Sequence, residues 1–205
     1  MRVSNKTPLL IIFIFSLLGS VTEVNAQTKK KIDKPTGIAI LYSLDPLSQT
    51  FCFNDAQPGH MFQDFQVKNR CSDIDFEQYH KGCFTVGIEG GRKGNIIDLG
   101  MADELQTKYK YTETVGNGQG YASIRYSNGK ILILKDYDSQ GLQELKEAEA
   151  LFSQTSKNPF AAIKAGHIYL LRIDDSSEPD FSLMVKLLVL SYIPGESVTF
   201  RWQIL

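Results

Sequence analysis

The C-terminal segment of the chain alternates strictly between apolar and polar side chains. Its apolar positions are Val198, Phe200, Trp202 and Ile204. Because successive side chains of a β-strand point to opposite faces, this period of two predicts a strand with one face in a core. The chain must therefore build at least one sheet that packs on one side and stays polar on the other.

Other segments with strand-like patterns come in pairs joined by turns. Asn128-Gly129 separates β-type runs at 121–126 and 130–134, which is the strongest short hairpin signal. The alternating run at 84–88, the glycine-rich turn Gly90–Gly94 and residues 95–99 predict a second hairpin. Residues 37–44 form a continuous apolar run whose length fits a buried strand. Additional strands are expected at 50–54, 166–173 and 181–193. Since hairpin-connected strands run antiparallel, we expect an α+β fold: a mainly antiparallel β-sheet or β-sandwich with one amphipathic helix packed on it.

That amphipathic helix is predicted at 139–153. Leu142, Leu145 and Ala148 recur near helical spacing, while charged residues fill the intervening positions. A shorter helix is expected at 101–109. The run at 131–134 is apolar on both faces of a strand, so one face must be covered, and the helix at 139–153 is the expected cover.

The first 26 residues have the pattern of a secretory signal peptide. A positively charged start with Arg2 and Lys6 precedes an apolar run at 9–18 and the small-residue site at 24–26. The apolar run is shorter than the roughly 20 residues that a membrane-spanning helix needs. We therefore expect a secreted or periplasmic protein with no membrane span after cleavage. Residues 27–36 are predicted to form a disordered basic tail, and residues 37–205 a single β-rich globular domain.

Composition excludes several classes of protein. The 205 residues carry 22 basic and 23 acidic side chains, and 42% of them are hydrophobic. These values are ordinary for a globular protein and argue against a collagen, a coiled coil, a polytopic membrane protein or a wholly disordered chain. Without an excess of basic residues, a dedicated nucleic-acid binder is disfavoured.

Three cysteines, Cys52, Cys71 and Cys83, would share an oxidising compartment after export. Three pairings are possible, and the sequence alone does not decide among them. We favour a disulfide between Cys71 and Cys83, which would close the polar segment 72–82 and stabilise the fold by about 3 kcal/mol. Cys52, between two phenylalanines, would then be a small buried hydrophobic residue.

Motifs for catalysis or metal binding are weak throughout the sequence. The glycine clusters are followed by strand patterns, whereas a phosphate-binding loop opens a helix. No G-x-S-x-G elbow is present, and the three histidines lack metal-ligand spacing. The alternating Asp73 and Asp75, or the acidic loop 174–180, could hold Ca²⁺, although solvated loops explain both. His80 could pair with the thiol of Cys71 or Cys83 as a nucleophile.

We therefore interpret the chain as an exported, non-catalytic binding or accessory module of the cell envelope or extracellular space. Its partner would be a protein or a cell-envelope component and not a nucleic acid. The candidate binding surface comprises Asp73, Asp75, His80, Arg92 and Lys93, because loops on a rigid sheet concentrate binding residues. The alternatives are an exported hydrolase with a Cys/His or carboxylate site and a Ca²⁺-stabilised extracellular domain. No catalytic residue or cofactor is assigned.

Overall fold

A computed structural model of the chain describes residues 36–58, 72–89, 91–109, 124–134, 142–144, 152 and 158–205. All of these residues belong to one compact unit, Asp33–Leu205. The signal peptide and nearly all of the basic tail predicted from the sequence lie outside the described residues.

Three antiparallel sheets make up most of the described chain, and their strands are numbered in chain order. The first sheet contains, in spatial order, β1 (Thr36–Tyr42), β13 (Ser197–Ile204), β12 (Ser182–Ile193), β11 (His167–Asp175) and β6 (Arg92–Met101). The second sheet contains β10 (Phe160–Ala162), β5 (Cys83–Val86), β4 (Ile74–Phe76), β2 (Thr50–Cys52) and β3 (Gln57–Pro58). The third sheet contains β7 (Ile124–Ser127), β8 (Lys130–Leu134) and β9 (Leu142–Glu144). The prediction of a mainly antiparallel β fold is confirmed.

The main core contains side chains from both the first and the second sheet. From β13, Val198, Phe200 and Trp202 are buried, as the alternation predicted. The Phe51 ring of the second sheet meets the Trp202 ring edge-on, with 5.5 Å between centroids, and Phe84 meets Phe200 in the same way at 5.7 Å. Such aromatic contacts bury large apolar areas and fix the relative position of the two sheets.

The opposite face of the first sheet carries a second apolar cluster. Its members are Ile97, Ile168 and Leu170 of the first sheet together with Leu105, Ile124 and Ile131. Leu105 belongs to helix α1 (Ala102–Tyr109), which confirms the short helix predicted at 101–109. Within the described part of the chain, no helix is long and apolar enough to cross a membrane.

The amphipathic helix predicted at 139–153 is not confirmed. Residues 142–144 form β9, and Leu142 pairs with Leu134 on the edge of β8. The edge of β8 offers backbone hydrogen bonds to a further strand. The spacing of apolar residues, on which the helix prediction relied, does not reveal this. The remainder of 139–153 lies outside the described residues, apart from Phe152, which is helical and packs against the second cluster.

One of the two predicted hairpins is confirmed and the other is wrong. Asn128 and Gly129 both have positive φ, at 51° and 78°, and join the paired strands β7 and β8 as a two-residue hairpin turn requires. Around Gly90–Gly94, in contrast, β5 and β6 enter different sheets, so the predicted hairpin is wrong. The chain instead crosses itself closely at Gly87 and Gly94, where a Cβ on Gly94 would lie 2.3 Å from the Val86 carbonyl oxygen. These glycines permit a close backbone crossing between sheets.

Candidate functional site

The five residues of the predicted binding surface lie near the junction of β4, β5 and β6, but most are not on the surface. Asp73 and Asp75 have no exposed area, and the Arg92 side chain is 7% exposed. Only His80 and Lys93 are exposed. The strand pattern explains this result: Ile74 and Phe76 enter the main core, and Asp73 and Asp75 face the other side of β4, which is also buried. Three of the five residues are therefore not available to a partner at the surface.

Asp73 and Arg92 are brought together in a buried ion pair. Arg92 Nη1 donates to Asp73 Oδ1 at 2.5 Å, and Arg92 Nε lies 3.7 Å from Asp175 Oδ2. The guanidinium carbon lies 4.5 Å from the centre of the Phe181 ring. The second Asp73 oxygen accepts a hydrogen bond from the Phe53 amide at 2.9 Å. Asp73 immediately precedes β4 of the second sheet, whereas Arg92 and Asp175 belong to strands of the first sheet. The cluster therefore joins the two sheets.

Burial raises the pKa of Asp73, while the Phe53 amide and the Arg92 guanidinium act against that rise. An arginine keeps its charge at all ordinary pH values. The ion pair is therefore formed between desolvated groups.

Asp75 is the centre of a second buried polar arrangement. The strand register places Thr50 of β2 and Thr85 of β5 on either side of Asp75. Asp75 Oδ2 accepts from the Gln78 amide at 2.8 Å, but Asp75 Oδ1 and both threonine hydroxyls have no hydrogen-bond partner among the described residues. Burial raises the pKa of Asp75 to about 6. The Gln78 amide and the neighbouring Thr85 hydroxyl oppose that rise, although Thr85 Oγ1 does not reach hydrogen-bonding geometry.

Several of the acidic residues considered for Ca²⁺ are engaged in other contacts. Among the residues that the structure describes, no three His, Cys, Asp or Glu side chains are grouped as a metal site would need. Asp73 is paired with Arg92, and Asp175 Oδ1 accepts from the Ser177 amide at 2.7 Å in the loop 174–180. Ca²⁺ takes six to eight oxygen ligands, and neither acidic segment assembles such a set from these side chains.

His80 and Cys83 are close in sequence, but their surroundings do not favour a thiolate. The His80 ring lies against the Phe160 ring at a tilt of 37°, with 4.3 Å between ring centroids. Cys83 is a free, partly buried thiol. Burial raises its pKa, and the charges of Glu77 and Asp75 raise it further. Since the thiolate is the nucleophile, a raised pKa weakens the thiol version of the hydrolase hypothesis.

The free Cys83 thiol contradicts the predicted disulfide between Cys71 and Cys83. Cys52, in contrast, is disulfide-bonded and fully buried on β2. Cys71 lies outside the described residues. The prediction relied on closing a short loop, which concerns the entropy of the unfolded chain and not the position of each sulfur after the strands have paired.

We expect thiol labelling of the unreduced protein to modify Cys83 alone. Because Cys71 is the one other cysteine in the sequence, non-reducing peptide mapping should link Cys52 to Cys71. Mass spectrometry of the alkylated, digested protein measures both outcomes, and a reduced sample, in which all three thiols react, is the control. A linked peptide that contains Cys83 would contradict the expectation.

Glu77 is a structural anchor that the sequence did not reveal. Its backbone has a positive φ of 60°. Its carboxylate accepts hydrogen bonds from the Tyr192 hydroxyl at 2.8 Å and from the amides of Gly195 and Gly82 at 3.0 and 3.1 Å. The β4–β5 turn is thereby fixed to the β12–β13 turn. No local sequence pattern indicates contacts with residues more than a hundred positions away, such as those with Tyr192 and Gly195.

Exposed large apolar side chains are concentrated at the other end of the first sheet. Of ten such residues in the described chain, seven lie on β1, in the turn after it or near the end of β12. We call these seven residues the edge patch: Ile38, Ile40, Tyr42, Leu44, Leu47, Leu190 and Ile193. The sequence predicted a buried strand at 37–44, but only Ala39 and Leu41 enter the core there, while Ile38 remains 65% exposed.

β1 also leaves its backbone edge open. Among the described strands it pairs with β13 alone, and Ser43 N donates to Glu196 O on that side. Tyr42 N points the other way and donates to Ser48 O. Since backbone direction alternates along a strand, the amide and carbonyl groups of Ile38 and Ile40 also point away from β13. Across the described ranges these groups have no strand partner.

The edge patch and the open edge of β1 together form the candidate functional site, because they combine unpaired backbone groups with exposed apolar side chains. Thr36–Tyr42 contains no charged residue and no proline, which natural edge strands commonly use to prevent pairing. Comparisons with protein-family models, with curated proteins and with solved structures find no match for this chain.

Proposed function

We propose that the chain is an exported, non-catalytic module that binds a protein partner through the edge patch and the open edge of β1. The observation that carries the proposal is the concentration of seven of the ten large exposed apolar side chains around this edge. Exposed apolar surface that is concentrated in one region marks interaction sites in soluble proteins. The proposal that the module is exported rests on the signal-peptide pattern of residues 1–26.

The use of ionisable side chains supports a non-catalytic role. Asp73 is bound by Arg92 and Glu77 by Tyr192. On the surface, Asp98 accepts from His167 at 2.8 Å and from Lys164 at 3.1 Å. In each group the polar atoms are directed at parts of the fold, which is the arrangement expected of structural contacts.

A protein partner fits the chemistry of this edge better than other ligands. Unpaired amide and carbonyl groups at Ile38 and Ile40 match those of an added strand, and the alternating exposed side chains offer it apolar contacts. Strand addition of this type takes affinity from main-chain hydrogen bonds and specificity from alternate side chains. Thr36–Tyr42 carries no Lys or Arg, so it lacks the basic character of a nucleic-acid site.

Replacing both Ile38 and Ile40 with lysine should abolish binding to the partner without unfolding the protein. Both side chains point into solvent, so the melting temperature should change little, whereas lysines would have to be desolvated against the partner strand. Quantitative capture from the secreted and envelope fractions of the source cells, followed by a melting curve, measures both effects.

Met101→Lys is the matched control, because Met101 is 44% exposed, close to the 46% of Ile40, and lies on β6 at the far side of the same sheet. It should bind as the unsubstituted chain does. Equal capture by the double variant and by the unsubstituted chain would overturn the proposed site.

A further inference from the structure

We infer that the partner at this edge is a second copy of this chain, joined through antiparallel pairing of two β1 strands about a two-fold axis. The inference rests on the proposed function, because it names the occupant of the same edge. Such an isologous contact uses one surface twice, so the strand must be complementary to itself.

The backbone of β1 fixes the register of this pairing. Ile38 and Ile40 carry the outward-pointing amide and carbonyl groups, while Tyr42 N is already donated to Ser48 O. Pairing centred on Ala39 places Ile38 of each copy opposite Ile40 of the other. Each such pair exchanges two hydrogen bonds. All the outward backbone groups of these two residues are then satisfied in both copies.

The side chains agree with the same register. Ala39 and Leu41 stay in the core of their own copy, while Ile38 and Ile40 lie on the outer face. In the pair, four isoleucine side chains meet on this face, with Tyr42 of one copy and Tyr42 of the other at the two ends. The contact covers the exposed side chains of Ile38 and Ile40 and brings together those of Tyr42, which removes apolar surface of β1 from water.

Charge favours a second copy as the occupant. A two-fold pairing brings each residue close to its own equivalents, so a charged strand would repel itself. The seven residues Thr36–Tyr42 are uncharged, and the β1–β13 register runs without a bulge that would twist the edge away. The net charge of the whole chain is only −1, which adds little repulsion between copies.

The size of the contact predicts a weak dimer. Specific stable interfaces bury about 1,200–2,000 Å², and one seven-residue strand with its neighbours provides a contact at or below the low end of that range. The dimeric fraction should therefore rise with protein concentration, and the dimer should dissociate on dilution.

Analytical ultracentrifugation of the full chain, purified from an exporting host, over a roughly hundredfold concentration range tests this inference. The unsubstituted protein should shift from monomer to dimer as concentration rises. Ile40→Lys should remain a monomer, and Met101→Lys should dimerise like the unsubstituted protein. A monomer at every concentration, or dimerisation of Ile40→Lys, would overturn the inference.

Cysteine pairs test the register in a Cys83→Ser background, which removes the free thiol. Directly opposed strand positions have Cα atoms about 5.5 Å apart, a spacing that a disulfide spans. A mixture of Ile38→Cys and Ile40→Cys copies should form a disulfide-linked dimer on oxidation, well above the level of Ile38→Cys alone. Equal cross-linking in both samples would contradict pairing centred on Ala39.

The two proposals fail in distinguishable ways. A protein that stays monomeric but captures a different partner, and loses it in the Ile38/Ile40 lysine variant, would refute the second copy and keep the proposed function. A protein that stays monomeric and captures nothing through β1 would refute both.

Discussion

Arg92→Ala should destabilise the protein by about 3–5 kcal/mol, which is the usual effect of removing one partner from a buried ion pair. The substitution would leave the Asp73 carboxylate, only 1% exposed, without its counter-ion and would leave Asp175 with one less cation nearby. It would also remove the guanidinium from the Phe181 ring. The effect is large because the same side chain joins both sheets.

Urea denaturation followed by tryptophan fluorescence measures this change. Lys93→Ala is the matched control, since the neighbouring side chain is exposed and should alter the stability by no more than about 0.5 kcal/mol. The double variant Arg92→Met with Asp73→Asn should lose less than the sum of the single changes, because neither charge of the Asp73–Arg92 pair remains buried without the other. A loss for Arg92→Ala no larger than that for Lys93→Ala would refute the ion pair.

Asp75→Asn should stabilise the protein at neutral pH by up to about 3 kcal/mol. The folded pKa of Asp75 is about 6, against an ordinary value of 3.8. Between about pH 4 and 6 the folded state therefore holds this proton while the unfolded state releases it, so the stability falls through that window and stays lower above it. Each pKa unit corresponds to about 1.4 kcal/mol. Asparagine keeps the shape of the neutral acid and removes the buried charge.

The sign of this effect depends on pH. The stability of the unsubstituted protein should fall as pH rises from 4 to 6, relative to Asp75→Asn, and the two should converge below pH 4. Asp98→Asn provides the contrast. Burial raises the pKa of Asp98, but hydrogen bonds from His167, Gly100 and Lys164 outweigh it and lower the pKa overall. That variant should be destabilised at neutral pH and should match the unsubstituted protein in acid. A pH-independent gain for Asp75→Asn would contradict the argument.

Features that depend on a few adjacent residues could be predicted from the sequence. The Asn128-Gly129 turn is specified by two residues that tolerate positive φ, and the burial of Phe200 and Trp202 follows from strict alternation. In both cases the local preference and the tertiary structure agree, so a short window of sequence is sufficient.

Features that depend on how the sheets are arranged could not be predicted from the sequence. Alternation on both sides of a glycine-rich turn looks the same whether the strands pair or enter different sheets, as β5 and β6 do. The partner that decides the environment of Asp73 is Arg92, nineteen positions away. A pattern of alternating carboxylates predicts a solvated face, because the sequence does not show that both faces of β4 are buried.

The candidate site was missed for a related reason. An uninterrupted apolar run is typical of a strand buried on both faces, which is why the sequence of 37–44 predicts a buried strand. β1 instead lies at an edge of the first sheet, where only its inner face has a neighbouring layer. Edge position is a property of the completed topology, and the absence of charged residues and proline was the one sequence signal that could have marked this strand as an open edge.

The contact between Gly37 and Trp202 gives the molecule an internal spectroscopic reporter. Trp202 is the only tryptophan in the chain, is 1% exposed, and lies with its indole 3.2–3.3 Å from the position that a Cβ on Gly37 would take. Its emission therefore originates from one location, beneath the first residues of β1. Any event that lifts this strand from β13 admits water to the indole and shifts its emission to longer wavelength, even while the rest of the first sheet remains intact.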